Sequence, residues 1–205
     1  MKKIFAFILP VFLLLACAKP QEGQKINENK ESMNKEQKVL VAFFSKTGEN
    51  YGVGNITVGN THKVAAEIAR QTKGTLFEIK PVKEYPYGYQ ECVDVAKKEK
   101  TNKARPAIKG KVDNMAQYEV IYLGYPNWWN DAPMPVYTFL ESYDLTGKQI
   151  YPFVTHEGSG IGNTVNFLKE ALPNATVNEG LAIYGHIAQK DAPFVENAVK
   201  NWLNK

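Results

Sequence analysis

The run Val39-Leu40-Val41-Ala42-Phe43-Phe44, followed at once by Ser45-Lys46-Thr47-Gly48, decides the architecture. Six consecutive apolar residues cannot alternate between a wet and a dry face, so they are predicted to form a strand buried on both sides that ends in a turn. Downstream, Val64, Ala65, Ile68 and Ala69 recur at helical spacing from Thr61, and Gly74 is expected to stop that helix before a strand over residues 75–80 closed by Pro81. Helices are predicted over 88–100, 133–143 and 164–171, with strands over 120–124, 149–155 and 176–184. Asp191 caps a last helix running to Trp202, with Pro193 in its first turn, where a missing N–H costs nothing. Five strands alternating with five helices make an α/β domain, a doubly wound five-stranded parallel sheet with helices on both faces and right-handed crossovers. Ligands of such sheets sit beyond the carboxyl ends of the strands, where the strand order reverses, which directs attention to the segments after Phe44, Gly124 and Thr155.

Outward from this core the chain reads differently. Lys2 and Lys3 precede an apolar run from Ile4 to Leu15, too short for a span of about 20 residues, so residues 1–16 are expected to be a secretory signal. Its end, Leu14-Leu15-Ala16-Cys17, is similar to the bacterial lipobox, which implies lipidation of Cys17 and anchoring on the outer face of a bacterial membrane. Residues 17–37 carry seven Lys or Glu between Lys19 and Lys35 and cannot bury a core, so they are expected to be a flexible tether. Residues 38–205 form the folded domain. Beyond Cys17 the chain has one more cysteine, Cys92, whose expected role is packing within a helix. Of 205 residues 44% are hydrophobic, which suits one domain with a full core, and a formal charge of +4 without a dense basic stripe argues against nucleic acid.

The first loop offers two hydroxyls, Ser45 and Thr47, and a permissive Gly48, and the next helix opens with Gly59-Asn60-Thr61. Hydroxyls beside a helix N-terminus form an anion site, because its free N–H groups and the dipole favour negative charge. A Walker loop is absent, since no Gly-Lys-Ser/Thr follows this turn. The glycines of 158–162 stand too far along the chain for a dinucleotide fingerprint, and Glu157 spoils a Gly-x-Ser-x-Gly reading of Ser159.

In these loops the chain resembles the flavodoxin family, whose first loop reads Ser/Thr-x-Thr-Gly-Asn-Thr and grips the phosphate of flavin mononucleotide (FMN). The match is split: Ser45, Lys46, Thr47 and Gly48 stand for its first half and Asn60 with Thr61 for its second, with residues 49–59 between them. Asn50 and Asn60 both qualify as the asparagine of the nest, and Asn60 is favoured because Thr61 follows it. The loop Gly124-Tyr125-Pro126-Asn127-Trp128-Trp129 resembles the family's aromatic flavin-contacting loop. One Trp is expected to pack over the third helix and the other to line the ring. Thr155, His156, Glu157, Gly158, Ser159 and Gly160 resemble the second ring-binding loop, where backbone amides meet the pyrimidine edge. A receiver-type signalling domain shares the fold but needs acidic residues where Ser45 and Tyr125 stand.

The resemblance implies an FMN protein that exchanges reducing equivalents with a small-molecule or protein donor and acceptor. Three readings stay open: a two-electron FMN oxidoreductase acting on a quinone-like acceptor, a one-electron carrier docking redox proteins, and a degenerate domain without flavin. From Lys38 onward 19 basic residues face 17 acidic ones, unlike the strongly acidic carriers of the family. Family carriers stabilise the one-electron-reduced flavin by turning over a peptide in the second loop. No glycine lies between Tyr125 and Met134; Pro126, Trp128 and Trp129 are expected to resist the left-handed region and only Asn127 or Asn130 to tolerate it, which favours two-electron chemistry. The glycine-rich insertion 49–59 reads as a mobile flap or a plain surface loop. His156 reads either as a charge-stabilising neighbour of the ring or as a solvent-facing histidine.

Overall fold

The computed structural model describes residues 38–205, and the signal segment, Cys17 and the tether fall outside the described residues. The elements run in chain order β1 (Val39–Phe43), β2 (Gly48–Asn50), β3 (Gly54–Ile56), α1 (Asn60–Thr72), β4 (Thr75–Glu78), β5 (Lys80–Pro81), α2 (Tyr89–Thr101), β6 (Ile108–Lys109), β7 (Val120–Pro126), α3 (Met134–Glu141), β8 (Gln149–His156), α4 (Thr164–Ala171), β9 (Thr176–Val177), β10 (Leu181–Tyr184), α5 (Gly185–Lys190) and α6 (Ala192–Leu203). The main sheet is parallel, in the order β4-β1-β7-β8-β10. Counting long strands along the chain this is 2-1-3-4-5, the doubly wound order whose reversal lies between β1 and β7.

The double-sided burial of β1 is visible side chain by side chain. Leu40, Ala42 and Phe44 enter one core with Val136, Phe139 and Leu168 of α3 and α4. Val41 and Phe43 enter the other with Val64, Ala65 and Ile68 of α1, Ala188 of α5 and Val199 and Trp202 of α6. A period of two thus divides one apolar run between two helical layers. Fully burying each such side chain contributes roughly 1.5–3 kcal/mol, so the strand specifies its own position in the sheet.

Several boundaries differ from the sequence reading. The helix before β4 is ended by Lys73 in the left-handed region (φ 53°), its N–H returning to the Ala69 carbonyl. Gly74 is small because a Cβ there would press on Val39 and Val41 at 3.0–3.1 Å. β4 stops at Glu78; Ile79 turns inward, its N–H bonding the Phe43 carbonyl at 2.7 Å, and Lys80–Pro81 then pairs antiparallel with Ile108–Lys109. β7 and β8 run on to Pro126 and His156, so Tyr125 is a buried strand residue, its hydroxyl 2.8 Å from Thr164 Oγ1. The fifth strand is interrupted. Val177 pairs with Ile150 and Leu181 with Phe153, so three residues of one chain oppose two of the other, a bulge facing Pro152, which has no N–H to donate. A sixth helix, α5, follows β10, and the insertion is an antiparallel hairpin, β2–β3, in place of an unstructured loop.

Gly124 lies flat against the Phe153 ring of the neighbouring strand, where an added Cβ would collide with the ring. Gly124→Ala is therefore expected to destabilise the domain by about 2 kcal/mol, in the range for overpacked cores, read as a lower urea midpoint with an unchanged slope.

Candidate functional site

Beyond Phe44 the first loop turns under the start of α1. Gly59 stands at the cap position with no side chain to offer, and Ser45 Oγ replaces it, accepting the His62 N–H at 3.1 Å. A Cβ on Gly59 would collide with that Oγ, so Gly59 and Ser45 require each other. The N–H groups of Asn60 and Thr61, in the first turn, have no intrahelical acceptor and point out of the helix end. Thr61 Oγ1 meets Thr155 Oγ1 at 2.8 Å below the site, both nearly fully buried, so the pair ties the start of α1 to the end of β8. Asn60 Oδ1 accepts from Gln189 of α5 at 2.8 Å. Lys46 is engaged: its ammonium donates to the carbonyls of Thr47, Glu49 and Tyr87 at 2.9–3.1 Å, and burial lowers its pKa against the opposing pull of Cys92 and Glu49. Thr47 is exposed, and Gly48 holds φ 82° beneath the Tyr87 carbonyl, where a side chain has neither room nor an easy conformation.

In the second loop the Asn127 N–H donates to the Thr155 carbonyl at 2.9 Å. Its Nδ2 donates to the Gly160 carbonyl at 2.8 Å, which fixes the amide's orientation, and leaves Oδ1 buried without a partner. Trp128 and Asp131 exchange two backbone hydrogen bonds at 3.0 and 3.2 Å, closing a two-residue turn over Trp129 (φ 53°) and Asn130 (φ 59°). Positive φ at both central residues is the signature of a type I′ turn. The expectation that Trp129 resists the left-handed region is thus overturned. The turn holds because Asp131, 8% exposed, is anchored by the Lys100 ammonium at 2.5 Å, the Tyr137 hydroxyl at 2.6 Å and the Ala132 N–H at 2.7 Å. Trp128 packs edge-on against Phe44 and Tyr85, whereas Trp129 stays 43% exposed. Trp128 is half-buried against the core, on Phe44 and Tyr85, Trp129 is exposed, and both face the opening.

The third loop is organised by two carboxylate and imidazole contacts. His156 Nδ1 accepts the Gly158 N–H at 3.0 Å, placing its proton on Nε2, and the ring lies 4.3 Å from Tyr184. Glu157 accepts the His186 N–H at 2.8 Å and meets His186 Nδ1 at 2.7 Å. Gly158 (φ 116°) and Gly160 (φ 60°) make the bends.

These loops enclose a cavity of about 300 Å³ over the ends of β1, β7 and β8. Of the residues anticipated from sequence, Lys46, Asn60, Pro126, Asn127, Trp128, Trp129, Thr155, His156, Glu157 and Ser159 line it, while Ser45, Thr47, Gly48, Thr61, Gly158 and Gly160 shape the loops behind. Asn50 lines it as well, from the hairpin. The sequence reading missed the opposite wall, Tyr51, Tyr89, Val93 and Ala96, and the supporting His186 and Gln189; the aromatic stretch Tyr85-Pro86-Tyr87-Gly88-Tyr89 was the signal for the wall. Cys92 packs within α2 as expected and also reaches this wall, its thiol pushed up to about 11 chiefly by burial. Among the described residues no cluster of His, Cys, Asp and Glu is arranged to hold a metal ion, and no helix is long and apolar enough to cross a membrane.

The Flavodoxin family profile matches residues 38–205. The chain belongs to the flavodoxin family. Two crystal structures of proteins classed as flavoproteins agree with it: one from Bacteroides eggerthii is 33% identical, covering 82% of this chain and 96% of its own, with a TM-score of 0.64. The other, from Bacteroides uniformis, is 32% identical over 82% and 99%, with a TM-score of 0.67. A flavoprotein from Lactobacillus acidophilus in complex with FMN shares the fold at 21% identity, covering 71% of this chain and 93% of its own, TM-score 0.59. No curated protein matches the sequence.

The histidine of this flavodoxin-family site gives a pH dependence with a definite sign. Burial, aided by His186 and opposed by Glu157, lowers the His156 pKa below the usual imidazole value of about 6.5. A histidine held neutral contributes stability that is complete above the unfolded-state pKa and is lost as pH falls toward the folded one, and protonation also removes the acceptor of the Gly158 N–H. Replacing His156 with Asn is expected to flatten the decline of unfolding free energy below about pH 6.5, measured by urea titration at a series of pH values.

Proposed function

We propose that the cavity holds FMN and that the protein is a two-electron FMN oxidoreductase acting on a quinone-like acceptor. The observation that carries the cofactor assignment is Asn127 Oδ1, an acceptor buried and unpartnered at the junction of the three strand-end loops. Such an atom costs about 1–3 kcal/mol unless a donor reaches it, and the imide N–H of a flavin ring is such a donor. The N–H groups of Asn60 and Thr61, with the Ser45 and Thr47 hydroxyls, would hold the phosphate at the start of α1, where the helix dipole favours an anion. Trp129 would cover the ring and the loop 156–160 its polar edge. FMN, when bound, supplies the hydride and electron chemistry. The chain's part is to hold the ring, exclude water and keep one hydrogen-bonding edge turned to it.

The second loop favours paired electrons on a new ground. Turning over the central peptide of the turn would convert type I′ to type II′, leaving Trp129 at positive φ with ψ reversed, a region that requires glycine. The Trp128 N–H and carbonyl are already committed to Asp131. The loop thus presents the same groups to oxidised and reduced cofactor. The folded part's near-neutral charge, +2, also offers little steering toward a basic redox protein. Export and attachment through a lipid on Cys17 belong to this proposal, placing the reaction outside the cytoplasm.

The full chain purified with added FMN is expected to be yellow and to retain the flavin through gel filtration; a colourless protein that takes up none would overturn the reading. Asn127→Ala should weaken FMN binding about tenfold, the equivalent of one hydrogen bond at about 1.4 kcal/mol. Spectra through a stepwise reduction should share common crossing points from start to finish, whereas a third spectral species would return the carrier reading.

A further inference from the structure

The hairpin and α2 form a wall that the cofactor loops do not use, and its chemistry specifies a ligand. Gly52 at the hairpin tip lies against Glu157, where a Cβ would stand 3.1 Å from Glu157 Cγ, so the hairpin reaches from the loop after β1 to the loop after β8 and roofs the crevice. Tyr51 and Tyr89 face the cavity from this roof and from the first turn of α2, their rings 5.8 Å apart and inclined by 35°. Tyr51 is 65% exposed, a large aromatic at a turn tip. Val93 and Ala96 line the same cavity. Charged side chains bordering this wall are already hydrogen-bonded: Lys46 to three carbonyls, Glu49 to the Tyr89 N–H at 2.8 Å, Glu157 to His186. Among the described residues neither the Tyr51 nor the Tyr89 hydroxyl has a hydrogen-bond partner.

We propose that Tyr51 and Tyr89 form a binding site for a neutral, planar aromatic carrying carbonyl oxygens, the ring class of the quinones. This rests on the oxidoreductase reading and names the residues that select its acceptor. The two phenol rings supply stacking surface, the two hydroxyls donate to carbonyl oxygens, and the Lys46 ammonium, with its three donors engaged, has none left to offer an anionic ligand.

The test is equilibrium dialysis of 2,3-dimethyl-1,4-naphthoquinone against the oxidised, FMN-loaded full chain. Without a reductant no electrons move, and the substituted quinone ring has no open position for a thiol. Saturable one-to-one binding is expected, weakened about tenfold in Tyr51→Ala and Tyr89→Leu and about threefold in Tyr51→Phe, with FMN content unchanged. The anionic 1,4-naphthoquinone-2-sulfonate should bind at least tenfold more weakly. Failure to load FMN strikes at the oxidoreductase reading. Normal FMN loading with no saturable quinone binding, binding indifferent to Tyr51 and Tyr89, or a preference for the sulfonate overturns this proposal alone. Tyr51 stands 65% exposed at the hairpin tip, its ring against that of Tyr89, so its substitution leaves folding intact; comparing urea midpoints verifies it.

Discussion

The Phe44 N–H donates to the Gly124 carbonyl at 2.8 Å, and this is where β1 and β7 part. Below it, parallel registers from Val39 opposite Val120 to Phe43 opposite Gly124 tie the two strands together. Above it, β1 leads into α1 on one face of the sheet while β7 leads into a loop and α3 on the other, because the order reverses between them. Chains that leave in opposite directions cannot cover the gap they create. The crevice is a consequence of topology, and the apolar double-sided β1 enforces that topology by requiring helices on both faces. Asn127, bonded to the Thr155 carbonyl, continues the same geometry between β7 and β8, so that all three loops open at one pole.

That continuity explains what could be read from the sequence and what could not. A strand buried on both sides is a continuous apolar run, and residues 39–44, 120–124 and 149–155 carry it unmistakably, so sheet, helices and loop order were legible. The bulge at Pro152 was not, because it depends on which residue of β8 lies opposite which residue of the last strand. The hairpin escaped because Gly52 and Gly54 suggest a mobile segment until Tyr51 and Glu49 are seen engaging Tyr89 across the chain. α5 escaped because Tyr184-Gly185-His186 has no capping side chain; its place is given by Glu157 and Gln189 contacts that are distant in sequence. Gly74 marks the helix end, its N–H bonding the Ala69 carbonyl, but the left-handed turn that a glycine signals there is made by Lys73, and the missing side chain of Gly74 serves a close approach to β1.

Trp129 marks the limit of local rules most plainly. An L-residue with a bulky side chain pays about 1–2 kcal/mol in the left-handed region, and nothing in the composition of the loop predicts that it does so. The conformation is imposed by the Trp128–Asp131 pair and, behind it, by Lys100 and Tyr137, side chains from two different helices. Local strain held by a buried network commonly lies at sites where orientation matters more than stability. Here it leaves the Trp129 indole exposed at the mouth of the cavity while Trp128, which also lines it, packs edge-on against Phe44 and Tyr85. Two adjacent indoles thus reach one cavity, although adjacent residues on a regular strand point to opposite faces of the sheet.

The hairpin and α5 turn an open crevice into a partly closed one, and they do so by touching the same carboxylate. Glu157 receives the backbone and ring of His186 from one side and the bare tip of Gly52 from the other. A larger residue at 52 would meet the Glu157 side chain, and a larger residue at 185 would meet both Asn60 and Glu157, so two glycines set how closely roof and floor approach. Gly52 also needs its positive φ, at 68°, to make the turn that brings Tyr51 over the opening. The elements added to the strand-loop frame are therefore not peripheral decoration. They are fitted around one acidic side chain of the third loop, and through it the width of the opening follows the position of the loop that lines its far side.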